Sequence, residues 1–139
     1  MNIKRAVFFG LLLYFVSFVT YIVIVLLQGE VSRYQAPSLM SYISMWLVNI
    51  PLIFFLGKWY FRNVSPTVQH GLQLGVVAIG VALLCDALLA FVTVVAGQPV
   101  DAFVALYTDW KLYATIFEII LLTTYMGYEF DGTFTDRNL

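Results

Sequence analysis

A chain of 139 residues with 62% hydrophobic side chains, 11% charged ones and a formal net charge of −1 departs from soluble domains, which carry about 45–50% apolar and roughly 25% charged residues. The near-neutral balance offers no basic surface for nucleic acid. One cysteine (Cys85) and one histidine (His70) exclude an intramolecular disulfide, a CxxC redox pair and structural zinc.

The apolar residues gather into four blocks separated by charged ones, the pattern of a polytopic membrane protein. A spanning helix needs about 20 apolar residues, since roughly 30 Å of hydrocarbon is crossed at about 1.5 Å per residue. The first span is expected over Ala6–Gln28. Lys4 and Arg5 precede it as they would a signal peptide, but the run is longer than an h-region of about 7–15 residues and no small-x-small site closes it, so it reads as a retained helix. Pro37 introduces the second span, Leu39–Tyr60; the turn "NVSPT" introduces the third, Gly71–Ala96. After "GQP", the partly apolar stretch "VDAFVALYTDW" is expected as a short interfacial helix in the third loop. The fourth span follows over Trp110–Tyr128, and residues 129–139 read as a loose polar tail. The runs are continuous rather than alternating, which disfavours a β-barrel and leaves helices as the way to satisfy backbone groups in lipid.

Lys4, Arg5, Lys58, Arg62 and Arg137 fall on one side of the expected spans, Arg33 and Lys111 on the other. The positive-inside rule then places both termini in the cytoplasm. Trp59, Tyr60 and Phe61 read as an inner aromatic belt, Trp110 and Tyr113 as an outer one. The expected fold is an all-α four-helix transmembrane bundle, one domain over residues 1–139, N-in and C-in, in the cytoplasmic (inner) membrane.

Within "LLCDALLAF" stands Asp86, with no other charged residue between Gly71 and Val100. At about 100° per residue, Gly71, Gly75, Ala78, Ala82, Asp86 and Thr93 share one face of the third span. Small residues permit close helix approach, so Gly71, Gly75 and Ala82 are expected at a helix–helix contact and Asp86 is expected to face protein rather than lipid. The other spans supply Glu118, on a stripe with Lys111, Thr115, Leu122 and Tyr125; Tyr21, on a stripe with Gly10, Tyr14, Ser17 and Gln28; and Asn49, beside Pro51. Counted from the outer span ends, Asp86, Glu118, Asn49 and Tyr21 all come out roughly 10–15 Å deep. They are therefore the candidate intramembrane polar site. Two acids there would share one proton or one cation, and Asp86→Asn and Glu118→Gln would then act non-additively.

An intramembrane acid is by default a functional-site hypothesis; the plainer role is interhelical glue, in which such bonds average only about 0.6 kcal/mol. His70 reads as an interfacial polar residue and Cys85 as an apolar filler. No HExxH, GxSxG or Walker A motif occurs, so no catalytic, cofactor-binding or metal-ligating residue is assigned and an enzyme is not expected.

"MNIKRAVFFGLLLY", "SPTVQHGLQLGVVAIGVALLCDALL" and "YTDWKLYATIFEIILLTTYMGY" together resemble a small prokaryotic family of four-span integral membrane proteins with no assigned activity. The resemblance is carried by Lys4–Arg5, Asp86 and the step Tyr107–Thr108–Asp109–Trp110, and implies the four-span fold without a mechanism. Three functions stay open. The leading one is an accessory or scaffold protein acting in the bilayer through contacts with itself, as a homo-oligomer, or with another membrane protein. The others are a proton- or cation-linked small transporter using Asp86 and Glu118, and a protein binding lipid or another hydrophobic ligand.

Overall fold

The structure is a computed structural model that describes residues 2–29 and 37–134, with side chains as far as Phe130. Arg33, Asp136 and Arg137, and the side chain of Asp131, lie outside the described residues. Among the described residues the chain is all-helical: α1 (Ile3–Leu27), α2 (Leu39–Phe61), α3 (Val68–Val95), α4 (Asp101–Thr108) and α5 (Trp110–Phe134).

Local chemistry sets the helix ends. Asn2, Ser38 and Thr67 cap α1, α2 and α3, their side-chain oxygens accepting from the backbone N–H of Arg5, Ser41 and His70, which satisfies one of the orphan donors of each first turn. At the far end of α3, Gly97 adopts φ 68°. Its N–H donates to the Val94 carbonyl and that of Gln98 to the Thr93 carbonyl, the paired bonds of a Schellman stop that a left-handed glycine permits.

Among the described residues three helices, α1, α2 and α3, are long and apolar enough to cross a membrane. Helix α5 matches α1 in length, but Lys111, Glu118, Glu129 and the threonines 115, 123 and 124 dilute its apolar character. It also runs past the expected end at Tyr128, to Phe134. Glu129 and Asp131 had read as the start of a loose tail, yet polar residues end only the apolar run; nothing in them breaks helical hydrogen bonding.

Helices α1, α2, α5 and α3 form a closed ring in that order, each touching the next, with α4 lying across one end against α5. The core gathers Ala6, Phe9 and Leu13 of α1, Ile53, Leu56, Tyr60 and Phe61 of α2, Leu74 and Ala78 of α3 and Met126 of α5. These are the first halves of α1 and α3 and the second halves of α2 and α5, so α1 and α3 run one way and α2 and α5 the other, with α1–α2 and α3–α5 the antiparallel neighbours. Tyr60 and Phe61 are 0% and 2% exposed, which corrects the expected aromatic belt: their rings meet edge-on, and Phe9 packs edge-on against Tyr60. Of the three aromatics, Trp59 stays at the rim, its ring covered by the Arg5 guanidinium at 4.5 Å and its carbonyl accepting from Arg5 Nη2 at 3.1 Å. A cation there also suits the C-terminal, negative end of α2.

Close approach is made by glycine. A Cβ at Gly71 would strike the Thr123 carbonyl oxygen and lie 3.0 Å from the Thr124 Cα; one at Gly75 would strike the Thr123 hydroxyl. On the α5 side, a Cβ at Gly127 would strike the Thr67 carbonyl and lie 3.1 Å from the Gly71 Cα. On the other flank of α3, Gly10 of α1 sits where an added Cβ would lie 3.1 Å from the Ala78 Cα. Only small residues at a helix–helix contact allow backbones to approach this closely.

Candidate functional site

The ring is filled at the end holding Phe9, Tyr60 and Met126 and opens toward the other. There the helices diverge around a cavity of about 480 Å³, partly covered by α4. Its wall is chiefly aliphatic and aromatic, with a few polar groups: Tyr14, Ser17 and Tyr21 of α1, Tyr42 and Asn49 of α2, Asp86 and Thr93 of α3, Tyr107 of α4 and Thr115 of α5. The face of α3 that carries small residues thus divides. Its lower part, Gly71 to Ala78, is packed against α5 and α1, whereas Ala82, expected at a helix contact, lines the cavity with Asp86.

Asp86 is held by two hydroxyls, one on each carboxyl oxygen. Tyr14 donates to Oδ1 at 2.6 Å and Tyr107 to Oδ2 at 2.7 Å. Both bonds are short, as expected where phenols meet a carboxyl group away from bulk water. Tyr107 comes from α4, whose carbonyl at that position also accepts from the Tyr113 hydroxyl at 3.0 Å. Burial, and then the bond to Asp86, raise the Tyr107 hydroxyl above its ordinary titration range, so it remains a donor at every physiological pH. A second, shallower groove of about 490 Å³ lies on the outer flank of the same contact and shares Leu83, Asp86, Phe103 and Tyr107 with the interior cavity. Asp86 and Tyr107, joined by their hydrogen bond, thus line both spaces.

Removing that hydroxyl should loosen α4 without unfolding the ring. In Tyr107→Phe, backbone amide exchange across residues 101–108 should speed up about fivefold, the equivalent of one hydrogen bond of about 1 kcal/mol. Unchanged exchange would show that α4 is seated by its apolar contacts alone.

Where α4 meets α5, Lys111 Nζ lies 2.6 Å from Asp109 Oδ2 and 5.4 Å from the centre of the Tyr42 ring. Burial pushes the Asp109 carboxyl up, but hydrogen bonds from the Lys111 ammonium and backbone N–H outweigh it and hold it below the ordinary carboxylate range. Lys111 is thereby occupied at the corner rather than aimed along α5 toward Glu118. The Tyr42 hydroxyl is buried with no hydrogen-bond partner among the described residues.

Of the four candidate polar residues, Asp86, Asn49 and Tyr21 line the cavity and Glu118 does not. Asn49, 1% exposed, accepts from Ser17 Oγ at 3.2 Å and on its other side bonds Glu118. Glu118 therefore stands behind Asn49, and its Oε2 is buried without a partner among the described residues. The expected Asp86–Glu118 pair is not formed: each acid has its own partners. Helical periodicity orients a residue on its own helix but not toward a particular neighbour, and α5 turns Glu118 to α2 rather than to α3. Tyr14 and Tyr107, the two residues that grip Asp86, stood in the sequence only as members of a stripe and of an aromatic step. Elsewhere, Gln28 Oε1 accepts from Ser41 Oγ at 2.6 Å, Trp46 Nε1 donates to Thr115 Oγ1 at 2.8 Å, and His70 Nδ1 lies 2.8 Å from the Ser65 carbonyl. Among the described residues no three His, Cys, Asp or Glu side chains gather as metal ligands would.

No protein-family model, curated protein or solved structure matches the chain.

Proposed function

We propose that the chain is a four-span protein of a prokaryotic cytoplasmic membrane, with both termini inside, that binds a hydrophobic or amphiphilic ligand between its helices. The observation that carries the reading is the cavity of about 480 Å³ with an apolar wall and a tethered carboxyl group. That size and lining match sites for small apolar molecules, in which a few placed polar groups fix orientation. Protein interiors hold few voids much larger than a water molecule, and a bundle serving only to present its outer surface has no need of one.

The four-span topology is supported by the part α5 plays in the ring, where it packs against both α2 and α3. With α5 as a span, α4 lies at the outer membrane surface and roofs the cavity. The inner side then carries Lys4, Arg5, Lys58 and Arg62, consistent with the positive-inside rule. The transport reading now rests on Asp86 alone, since Glu118 is not on the cavity. The accessory reading draws on a different feature, an exposed stripe of Trp110, Tyr113, Phe117, Leu121 and Tyr128 along α5, where a helix of a second copy or of another membrane protein could seat.

The test is native mass spectrometry of the protein extracted in mild detergent, with Ala82→Phe beside wild type. A retained small-molecule adduct that the cavity-filling phenyl ring reduces at least fivefold supports binding. An adduct unaffected by Ala82→Phe, or a stoichiometric protein partner with no adduct, would overturn it in favour of an annular lipid or of the accessory role.

A further inference from the structure

The cavity has a one-sided charge. Among the described residues lining it, Asp86 is the ionisable acid, and no Lys, Arg or His stands beside it. Among the described residues, Lys111 at the open end is already paired with Asp109. The two tyrosines bond Asp86 but do not neutralise it. Each occupies one acceptor position on one oxygen, and a carboxylate offers about four. Acceptor capacity therefore remains on both oxygens, held in a fixed orientation. An acid left without a counter-charge in apolar surroundings is unfavourable, and a cation brought in by a ligand relieves it.

The surroundings fit a particular kind of cation. The rings of Tyr14 and Phe18 stack at 6.1 Å, and both line the cavity with Tyr107. Aromatic faces beside a carboxylate suit ammonium groups, including those with no N–H to donate. The rest of the wall, with Ile79, Leu83 and Ile116, suits an apolar body. The shared outer groove supplies a route from the flank to the same carboxyl group.

We infer that the cavity takes an amphiphilic cation, an amine or quaternary ammonium whose head lies against Asp86 between Tyr14 and Tyr107 and whose apolar body fills the space among the helices. This rests on the binding function proposed above and adds the charge and placement of the head.

The test uses two fluorescent probes sharing one hydrocarbon body: neutral diphenylhexatriene and its trimethylammonium derivative. Each is titrated into the full chain in phosphatidylcholine nanodiscs, and the saturable signal above that of empty discs is read. Wild type should bind the cationic probe at least about tenfold more tightly than the neutral one, as expected when a buried charge gains its partner. Asp86→Asn should bring the ratio close to one, while Asp86→Glu, which keeps the charge, should preserve the preference. Equal affinity of wild type for the two probes, or a preference that survives in Asp86→Asn, overturns the cation assignment and leaves a neutral hydrophobic ligand. Saturable binding of neither probe overturns the cation assignment together with the binding function itself.

Discussion

Replacing Gly71 with alanine should destabilise the bundle by about 1–3 kcal/mol, the range for forcing an extra carbon into a close-packed contact. The added Cβ would collide with the Thr123 carbonyl oxygen and press on the Thr124 Cα. Neither is the movable tip of a side chain, so relief requires α3 and α5 to separate. Gly127→Ala should act in the same direction, since its Cβ meets the Thr67 carbonyl and the Gly71 backbone from the opposite side. Because the two glycines face each other, their effects should not add: once the helices have parted for one methyl group, the second finds space. Gly80 is the internal control. It lies on the same helix with nothing within 4 Å of an added Cβ, and Gly80→Ala should leave stability unchanged or raise it by up to about 1 kcal/mol through helix propensity. Unfolding in dodecyl sulfate followed by circular dichroism measures all four variants. A Gly71→Ala protein as stable as Gly80→Ala would show that the α3–α5 seam is looser than these contacts require.

Those glycines show how far the sequence could be read. The spacing of Gly71 and Gly75 pointed to close approach, because only small residues allow it. It could not name Thr123 and Gly127 as what is approached, since periodicity carries no information about a neighbouring helix. The same limit explains Asp86 and Glu118. The face of Asp86 was legible from the small residues sharing it, and similar depth along the helices placed both acids near one level. Whether groups at one level meet depends on the rotation of each helix, and that is fixed by packing: Gly71 against Thr123 turns α3, and Met126 in the core turns α5. Tyr60 and Phe61 illustrate a further ambiguity. Aromatics near a span end serve equally as interfacial anchors or as core, and the difference lies in which way α2 faces. Helix α4 was legible from its apolar character, but its service to Asp86 through Tyr107 joins residues 21 positions apart in sequence, a contact that no local pattern encodes.

The separation of the two acids makes a second large effect testable. Asn49 is the best-buried polar side chain touching either acid, and it serves two partners, Ser17 and Glu118. Asn49→Leu removes both bonds and leaves the Glu118 carboxyl without its Asn49 partner, while Oε2 already has none among the described residues. The expected loss is about 1–2 kcal/mol, near the upper end for hydrogen bonds between membrane helices. Most of it should arise from the stranded acid rather than from the amide itself, because an unpaired buried polar group is more unfavourable than a replaced pair. Adding Glu118→Leu should then recover part of the loss, giving a coupling of at least about 0.5 kcal/mol in the double-mutant cycle. The cycle of Asp86→Asn with Glu118→Gln should behave oppositely and be additive within about 0.5 kcal/mol, since the acids share no hydrogen-bond partner among the described residues. Strong coupling in that second cycle, with none in the first, would mean that the acids meet across the cavity after all. It would restore the proton-sharing pair and, with it, the case for a carrier.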